Sequence, residues 1–240
     1  MTEEALAGTL PGHGALHART GGVFTDPARL GKWVVALLLG VAGASTAAFF
    51  MIFARVQFLE NVAPGFYRSR SSLMETAQLL DTLVRIASLL YLGIWIAAAI
   101  LFLKWVYRSN RNAREMGVAG LKFTPGWAVG CYFVPFANLG LPFLAMREIW
   151  NASLGRVEGT ARPAYLVGWW WGLYLLDNTV ASVSGFQAFG AKTIADFILS
   201  GQFTMVSHGL SVAGAILAAV LVRQVSANQI RVWRMSEVFA

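Results

Sequence analysis

Five long apolar runs limit what this 240-residue chain can fold into. A membrane-spanning helix needs about 20 predominantly apolar residues. The chain is 57% apolar and only 13% charged, whereas a soluble domain carries about 25% charged residues. We therefore predict an all-α integral membrane protein. The runs free of Asp, Glu, Lys and Arg are 33–54, 86–103, 123–146 and 197–222, and a fifth run, 163–191, is broken only by Asp177.

Little of the chain remains for a second domain. Residues 1–31 carry charges, glycines and two prolines, and they lack the apolar core and cleavage site of a signal peptide. We interpret them as a flexible cytoplasmic tail. Residues 32–235 form the predicted single membrane domain. Cys131 is the only cysteine, which excludes an intrachain disulfide, and no metal site or cofactor is predicted.

The basic residues favour four membrane crossings over five. Lys and Arg concentrate on the cytoplasmic side of membrane proteins. With the N-terminus inside, five crossings place nine of the 19 basic residues inside, and four crossings place 14 there. A role for this positive charge in binding nucleic acid is not expected, because the basic residues flank the apolar runs. The predicted spans are about 33–53, 83–103, 164–184 and 203–222, and five spans remain the alternative.

The third apolar run is predicted to be broken. Pro135, Asn138 and Pro142 interrupt the segment 124–146, and proline removes a backbone donor that a helix needs. A broken segment at membrane depth is tolerated only where protein covers it or where it lines a cavity. We expect a re-entrant or interfacial segment there. A surface helix is predicted at 142–153, where apolar and polar residues separate onto two faces.

Four polar side chains are candidates for an intramembrane centre. An Asp at the middle of a bilayer costs roughly 2.5 to 3.5 kcal/mol, so Asp177 must be held by partners. Counting helix rise per residue puts His208 and Arg85 in the same outer half of the membrane, and Asn178 adjoins the carboxylate in sequence. We expect Asp177 to bond to at least one of these three. The centre is either a proton or ion relay, or a structural clasp between helices.

The segment after the second span combines aromatic and basic residues. A helix beginning at a capping box formed by Ser72 and Glu75 is expected to continue through that span to about Gly117. Its end is predicted to be an aromatic belt with an interfacial basic cluster, and an anionic-lipid site is the alternative. The basic cluster consists of Lys104, Arg108, Arg111 and Arg114.

Residues 105–153 contain the strings WVYRSNRNA and FTPGWAVGCYFVPFANLGLPFLAMREIW, with Trp127, Pro135, Asn138, Pro142 and Trp150 at spaced positions. In this pattern the chain resembles a bacterial membrane-protein family known as domain of unknown function 4328. We expect the resemblance to extend over about residues 33–235. It implies a helical membrane domain in the bacterial inner membrane and no particular activity.

The sequence favours a non-enzymatic function. It has no HExxH metal motif, no GxSxG nucleophile elbow and no second intramembrane Asp. We predict a partner-binding or accessory component of a membrane assembly, in contact with lipids and with a protein partner or further copies of itself. The first alternative is a small transporter or channel that uses Asp177, His208 and Arg85. An intramembrane enzyme is the second alternative.

Overall fold

The computed structural model describes residues 24–62, 70–155 and 164–238, and helices make up most of these ranges. No strand occurs within them. A single 3-10 turn, Ala137–Leu139, precedes the fourth helix. The α-helices are α1 (Ala28–Val62), α2 (Arg70–Glu115), α3 (Pro125–Gly130), α4 (Leu141–Ser153), α5 (Tyr165–Gly190) and α6 (Ile194–Val238).

Three helices, α1, α2 and α6, are long and apolar enough to cross a membrane. The fifth helix does not belong to this set, because its Trp, Tyr, Asn, Gln and Gly residues lower its hydropathy. The all-helical prediction is confirmed, and these three helices indicate a membrane protein. They give three candidate spans, so the predicted fourth span is not confirmed by them.

Two of the helices are much longer than a membrane is thick. The 46 residues of α2 and the 45 residues of α6 each extend about 70 Å at 1.5 Å per residue. The hydrocarbon core measures about 30 Å. As predicted, α2 runs unbroken past its apolar stretch, to Glu115. It includes Arg70, so Ser72 lies inside the helix and is not its cap.

The sixth helix is the centre of the bundle. Helices α1 and α5 both pack along it, α2 packs on α1, and α3 and α4 fill the space between α2, α5 and α6 at one end. We call this end the basic end, because α2 and α6 finish there with most of their arginines. The opposite part of the bundle is the far half.

Apolar packing is concentrated at the basic end. The main core cluster draws residues from all six helices, including Trp105 and Met146, which are fully buried. The far half holds a smaller cluster around Val41 and Ala98.

Helix contacts are close where glycine allows it. A Cβ atom at Gly201 in α6 would lie 2.6 Å from Val56 Cγ2 in α1, so the backbones approach there.

The first helix begins within the predicted tail, residues 1–31. Helix α1 starts at Ala28. Thr25 exchanges hydrogen bonds with Asn112, and the Phe24 ring stacks on Trp233 with 4.5 Å between centroids. Residues 24–31 therefore pack against the basic end. The rest of the predicted tail, residues 1–23, lies outside the described residues.

The third apolar run is broken, as predicted. Helix α3 is only six residues long, and α4 begins at Leu141 with Pro142 in its first turn. Phe136, between them, has a φ of 63°, in the left-handed region that non-glycine residues rarely adopt. The carbonyl of Leu139 accepts a hydrogen bond from Trp171 Nε1 at 3.0 Å. A side chain of α5 thus satisfies backbone that the break leaves without helical partners.

Helix α4 includes residues 142–153, which were predicted to form a helix, and their predicted place on the membrane surface stays a prediction. Its apolar residues Met146 and Ile149 are buried against the bundle, and Arg147 on the other side is exposed. Of the residues that break the run, Pro142 is buried and both Pro135 and Asn138 are exposed. The helix is therefore held by packing on protein rather than by the membrane surface alone.

Candidate functional site

Asp177 lies on α5 and faces α6. Its Oδ1 accepts a hydrogen bond from Ser207 Oγ at 2.5 Å. The residue is half-buried between the two helices. The carboxylate thus has one neutral partner, on the helix that runs antiparallel to its own. It stabilises the contact between α5 and α6 without a compensating positive charge among the described residues.

His208 and Ser211 belong to a second polar group on α6. Ser211 Oγ lies 3.3 Å from Ser45 Oγ of α1 and 3.2 Å from Tyr91 Oη of α2. The His208 ring meets the Tyr91 ring edge-on, with 5.2 Å between centroids. This group joins α1, α2 and α6. Since Ser207 and Ser211 are four residues apart, the Asp177 contact and this group occupy successive turns of α6.

The predicted bond from Asp177 to Arg85, His208 or Asn178 is not found among the described residues. Arg85 is exposed on α2 and has no hydrogen bond or ion pair there. The Asn178 side chain donates to the Tyr174 carbonyl of its own helix at 2.7 Å. Counting residues along each helix put Asp177, Arg85 and His208 at similar depths in the membrane. The rotation of each helix about its axis, however, points these side chains in different directions. Ser207, one position before His208, takes the expected place beside the carboxylate.

A third contact in the far half joins α5 to α6 through hydroxyl groups. Ser184 Oγ lies 2.5 Å from Thr204 Oγ1 and 3.0 Å from the Ser200 carbonyl, and Ser200 Oγ donates to the Ser184 carbonyl at 3.2 Å. Small hydroxyl residues allow helices to approach closely and bond across the interface. This contact fixes the register of the α5–α6 hairpin.

A groove of about 390 Å³ separates α2 from α5 beside Asp177. Its floor is formed by α1 and α6, and Tyr132 and Phe133 of the broken segment line one end. Pro135 and Asn138 do not line it, so the predicted cavity residues mark the break rather than the cavity. The groove is apolar apart from a few groups. The residues lining it include Trp95, Ile96, Ala99, Ile100, Tyr174, Asp177, Ser211 and Gly214.

The predicted basic cluster divides into two parts. Lys104 and Arg111 are exposed. The Nε atom of Arg111 lies 3.8 Å from Oε1 of Glu115, one helical turn later. Arg114 turns inward instead. Its Nη2 donates to the Phe123 carbonyl at 2.7 Å and to the Leu121 carbonyl at 3.4 Å. That residue therefore holds the connection between α2 and α3, whereas Lys104 and Arg111 face outward and Arg108 is half-buried.

Sequence reasoning missed a buried polar network at the basic end. Gln229 Nε2 donates to the Ser109 carbonyl at 2.8 Å, and Gln229 Oε1 lies 3.5 Å from Asn112 Nδ2. Trp105 Nε1 donates to Ser226 Oγ at 3.0 Å. All five side chains are buried. The signal was present, because Trp105, Ser109 and Asn112 recur at helical spacing, but the arginines beside them suggested an aromatic belt with an interfacial basic cluster.

A family model described as Domain of unknown function (DUF4328) matches residues 68–227, two thirds of the chain. The chain belongs to the DUF4328 family. The match begins before α2 and includes α3, α4, α5 and most of α6. Neither a curated protein nor a solved structure matches the chain.

The DUF4328 match covers both polar regions only in part. Asp177, Ser207 and the buried Trp105–Ser226 pair fall within it. Ser45 of α1 and Gln229 at the end of α6 lie outside it. Residues 105–113, which lie within the match, are mainly an internal packing element, because their Trp, Ser and Asn side chains are buried.

Proposed function

We propose that the chain crosses a bacterial inner membrane four times, with its N-terminus in the cytoplasm. Helix α5 supplies the fourth span. Its 26 residues extend about 39 Å at 1.5 Å per residue, which exceeds the hydrocarbon thickness. It is also paired antiparallel with α6, which by itself is long and apolar enough to cross. The distribution of Lys and Arg supports this topology.

Thiol labelling tests this topology. Single cysteines replace Lys122, Lys192 or Asn228 in a Cys131→Ser background. In intact cells, an impermeant maleimide is expected to label position 192 and to reach 122 and 228 only after the cells are opened. The five-span alternative reverses the result at 192 and 228. Labelling at 228 with protection at 192 in intact cells therefore contradicts four spans.

For its activity, we propose a non-enzymatic role in which the chain binds a transmembrane helix of a partner protein or of a second copy. The groove between α2 and α5 carries this proposal. Asp177 lies at the side of this open groove, which is otherwise mainly apolar. A carboxylate that faces lipid is costly, and a partner helix with a hydrogen-bond donor would cover it.

Site-specific photo-crosslinking in native membranes tests the groove. A photoreactive residue at Ile100, which is exposed in the groove, is expected to give one defined protein adduct. The matched position is Phe50, which is similarly exposed on α1 but outside the groove. Gly214→Leu should abolish the adduct, because it adds a side chain to the floor where a Cβ atom meets nothing within 4 Å. Equal adducts at both positions, or lipid adducts alone at Ile100, would contradict this role.

A small transporter is the second candidate. One observation favours it: two polar contacts on successive turns of α6 lie beside a groove that a broken helical segment lines at one end. Discontinuous helices often mark substrate sites in transporters. Proton or ion flux into liposomes containing only the purified chain would support this candidate, and Asp177→Asn should abolish such flux.

A further inference from the structure

A cavity larger than the groove lies at the basic end, away from the groove. It is a cleft of about 840 Å³ between the α2–α3 connection, α4 and the start of α5. Arg147 and Asn151 of α4 line one wall, and Tyr165, Gly168 and Trp169 of α5 line the opposite wall. A cleft of this size accommodates the polar part of a lipid molecule.

Two charged side chains hold the third wall in place. Glu148 accepts hydrogen bonds from the backbone N–H groups of Lys122 and Phe123, at 2.7 and 3.1 Å. Arg114 donates to the Phe123 carbonyl from the other direction, at 2.7 Å. The connection 118–123 is thus fixed from both sides. The Glu148 carboxylate is committed to backbone donors, which leaves its neighbour Arg147 as the exposed charge of α4.

Arg147 has no ion-pair partner among the described residues. Its guanidinium lies over the Phe143 ring, 5.6 Å from the centroid, so the charge is oriented by an aromatic contact rather than by a carboxylate. One turn further along α4, Asn151 Oδ1 is buried without a hydrogen-bond partner. The cleft therefore offers one cation and one unused acceptor on the same helix.

The opposite wall has the composition of a membrane interface. Tyr165 and Trp169 are 73% and 70% exposed, and they begin the helix that we propose as the fourth span. Such amphipathic rings concentrate at the level of lipid headgroups. Leu144 is exposed beside them on α4. The charged head of a lipid would lie beside Arg147 and Asn151, and its apolar chains would lie along Leu144 and Trp169.

We propose that this cleft binds the headgroup of phosphatidylglycerol. Its phosphate pairs with Arg147, a headgroup hydroxyl donates to Asn151 Oδ1, and the acyl chains run along Leu144 and Trp169. The phosphate supplies the anion that the arginine lacks, and the hydroxyl supplies the donor that Asn151 lacks. The assignment rests on the proposed position of α5 in the bilayer, which thiol labelling reports independently of lipid binding.

Native mass spectrometry of the full-length chain tests the proposal. The protein is equilibrated in mixed micelles containing equal amounts of phosphatidylglycerol and phosphatidylcholine. We expect the wild type to retain one phosphatidylglycerol molecule. Arg147→Gln should weaken its retention about tenfold, as expected for the loss of one charge-assisted contact. Arg223→Gln is the control, because Arg223 is an exposed arginine at the same end of the bundle that does not line the cleft.

A second variant blocks the cleft without changing its charge. Gly168→Leu projects a side chain from a position where a Cβ atom meets nothing within 4 Å, and leucine favours the helix more than glycine does. It should abolish retention of phosphatidylglycerol. Equal loss in Arg223→Gln, or unchanged retention in both cleft variants, would overturn the proposal. Displacement of the lipid by millimolar inorganic phosphate would also overturn it, because it would indicate a free phosphate ligand.

Discussion

The two ends of the bundle use their polar residues differently. At the basic end, buried Asn112 and Gln229 bond to Thr25 before α1 and to Ser109 of α2, which lie more than 80 positions away in sequence. In the far half, Thr76, Thr82 and Thr179 donate to the backbone carbonyl four residues earlier on their own helix. Buried polar side chains therefore specify packing at the basic end, and in the far half the contacts of Asp177, Ser184 and Ser211 do so. Many other polar side chains of the far half are satisfied locally, which leaves helix faces available to lipid or to another protein.

The apolar residues follow the same division. The main core joins all six helices at the basic end, whereas large apolar side chains of α2, such as Leu89 and Leu90, are more than 60% exposed in the far half. In water such exposure is unfavourable, but in a bilayer lipid covers these side chains. The basic end thus has the packing of a folded core, and the far half relies on its surroundings.

The largest effect on stability is expected at Trp105. Trp105→Ala removes a fully buried ring and its bond to Ser226, which should cost about 3 to 5 kcal/mol. Tyr107→Ala is the matched variant, because Tyr107 is 46% exposed on the same turn of α2. Circular dichroism during unfolding in mixed SDS micelles measures both. Similar losses for the two variants would remove the contrast between core and surface at this end.

A smaller loss is expected at Gln229. Gln229→Leu leaves the buried Ser109 carbonyl without its side-chain donor, which should cost about 1 to 3 kcal/mol. Gln224→Leu is the control on the exposed face of the same helix and should change stability by less than about 0.5 kcal/mol. The same unfolding assay compares them. A neutral Gln229→Leu would mean that the buried network does not contribute to the stability of the basic end.

Helix positions were predictable because their cause is local. Every apolar run became a helix or, where Pro135 and Pro142 interrupt it, two short helices. These outcomes follow from chain composition and from the missing N–H of proline. Helix ends were less predictable. The extension of α2 past its apolar stretch was predicted, but α6 also extends to Val238, well beyond its predicted span, and Val225 and Gln229 are fully buried in this extension.

Side-chain partners were predictable only where one helix determines them. Asp177 was expected to face a neighbouring helix, and it does, but its partner is Ser207. Depth along a helix can be counted from sequence, whereas rotation about the axis depends on the packing of all the neighbours. The buried amides at 109–112 and 229 were missed for the same reason. Their partners lie on distant segments, and the adjacent arginines dominated the local pattern.

A contrast within α5 gives the next effect in size. Ser184 bonds to α6, whereas Ser182 donates to the Asn178 carbonyl of its own helix. Ser184→Ala should cost about 0.6 to 1.7 kcal/mol, the range for bonds between helices in membranes. Ser182→Ala should change stability by less than about 0.5 kcal/mol. A larger loss at 182 in the unfolding assay would indicate that this exposed face already has a partner within the protein.

The smallest effect on stability is expected at Asp177. Asp177→Asn retains an acceptor for Ser207 and removes the charge. Loss of the charge-assisted bond costs about 1.5 to 3 kcal/mol. It is offset by relief of charge burial, which is below the roughly 2.5 to 3.5 kcal/mol of a bilayer centre because Asp177 is half-buried, so the net change should stay within about 0.5 kcal/mol. The adduct from Ile100 should nevertheless decrease, because a partner's donor would lose its charged acceptor. Asp177→Glu, which restores the charge, should recover part of it. A loss of stability above about 2 kcal/mol would indicate a charged partner for Asp177 inside the chain, and the far half would then resemble the basic end.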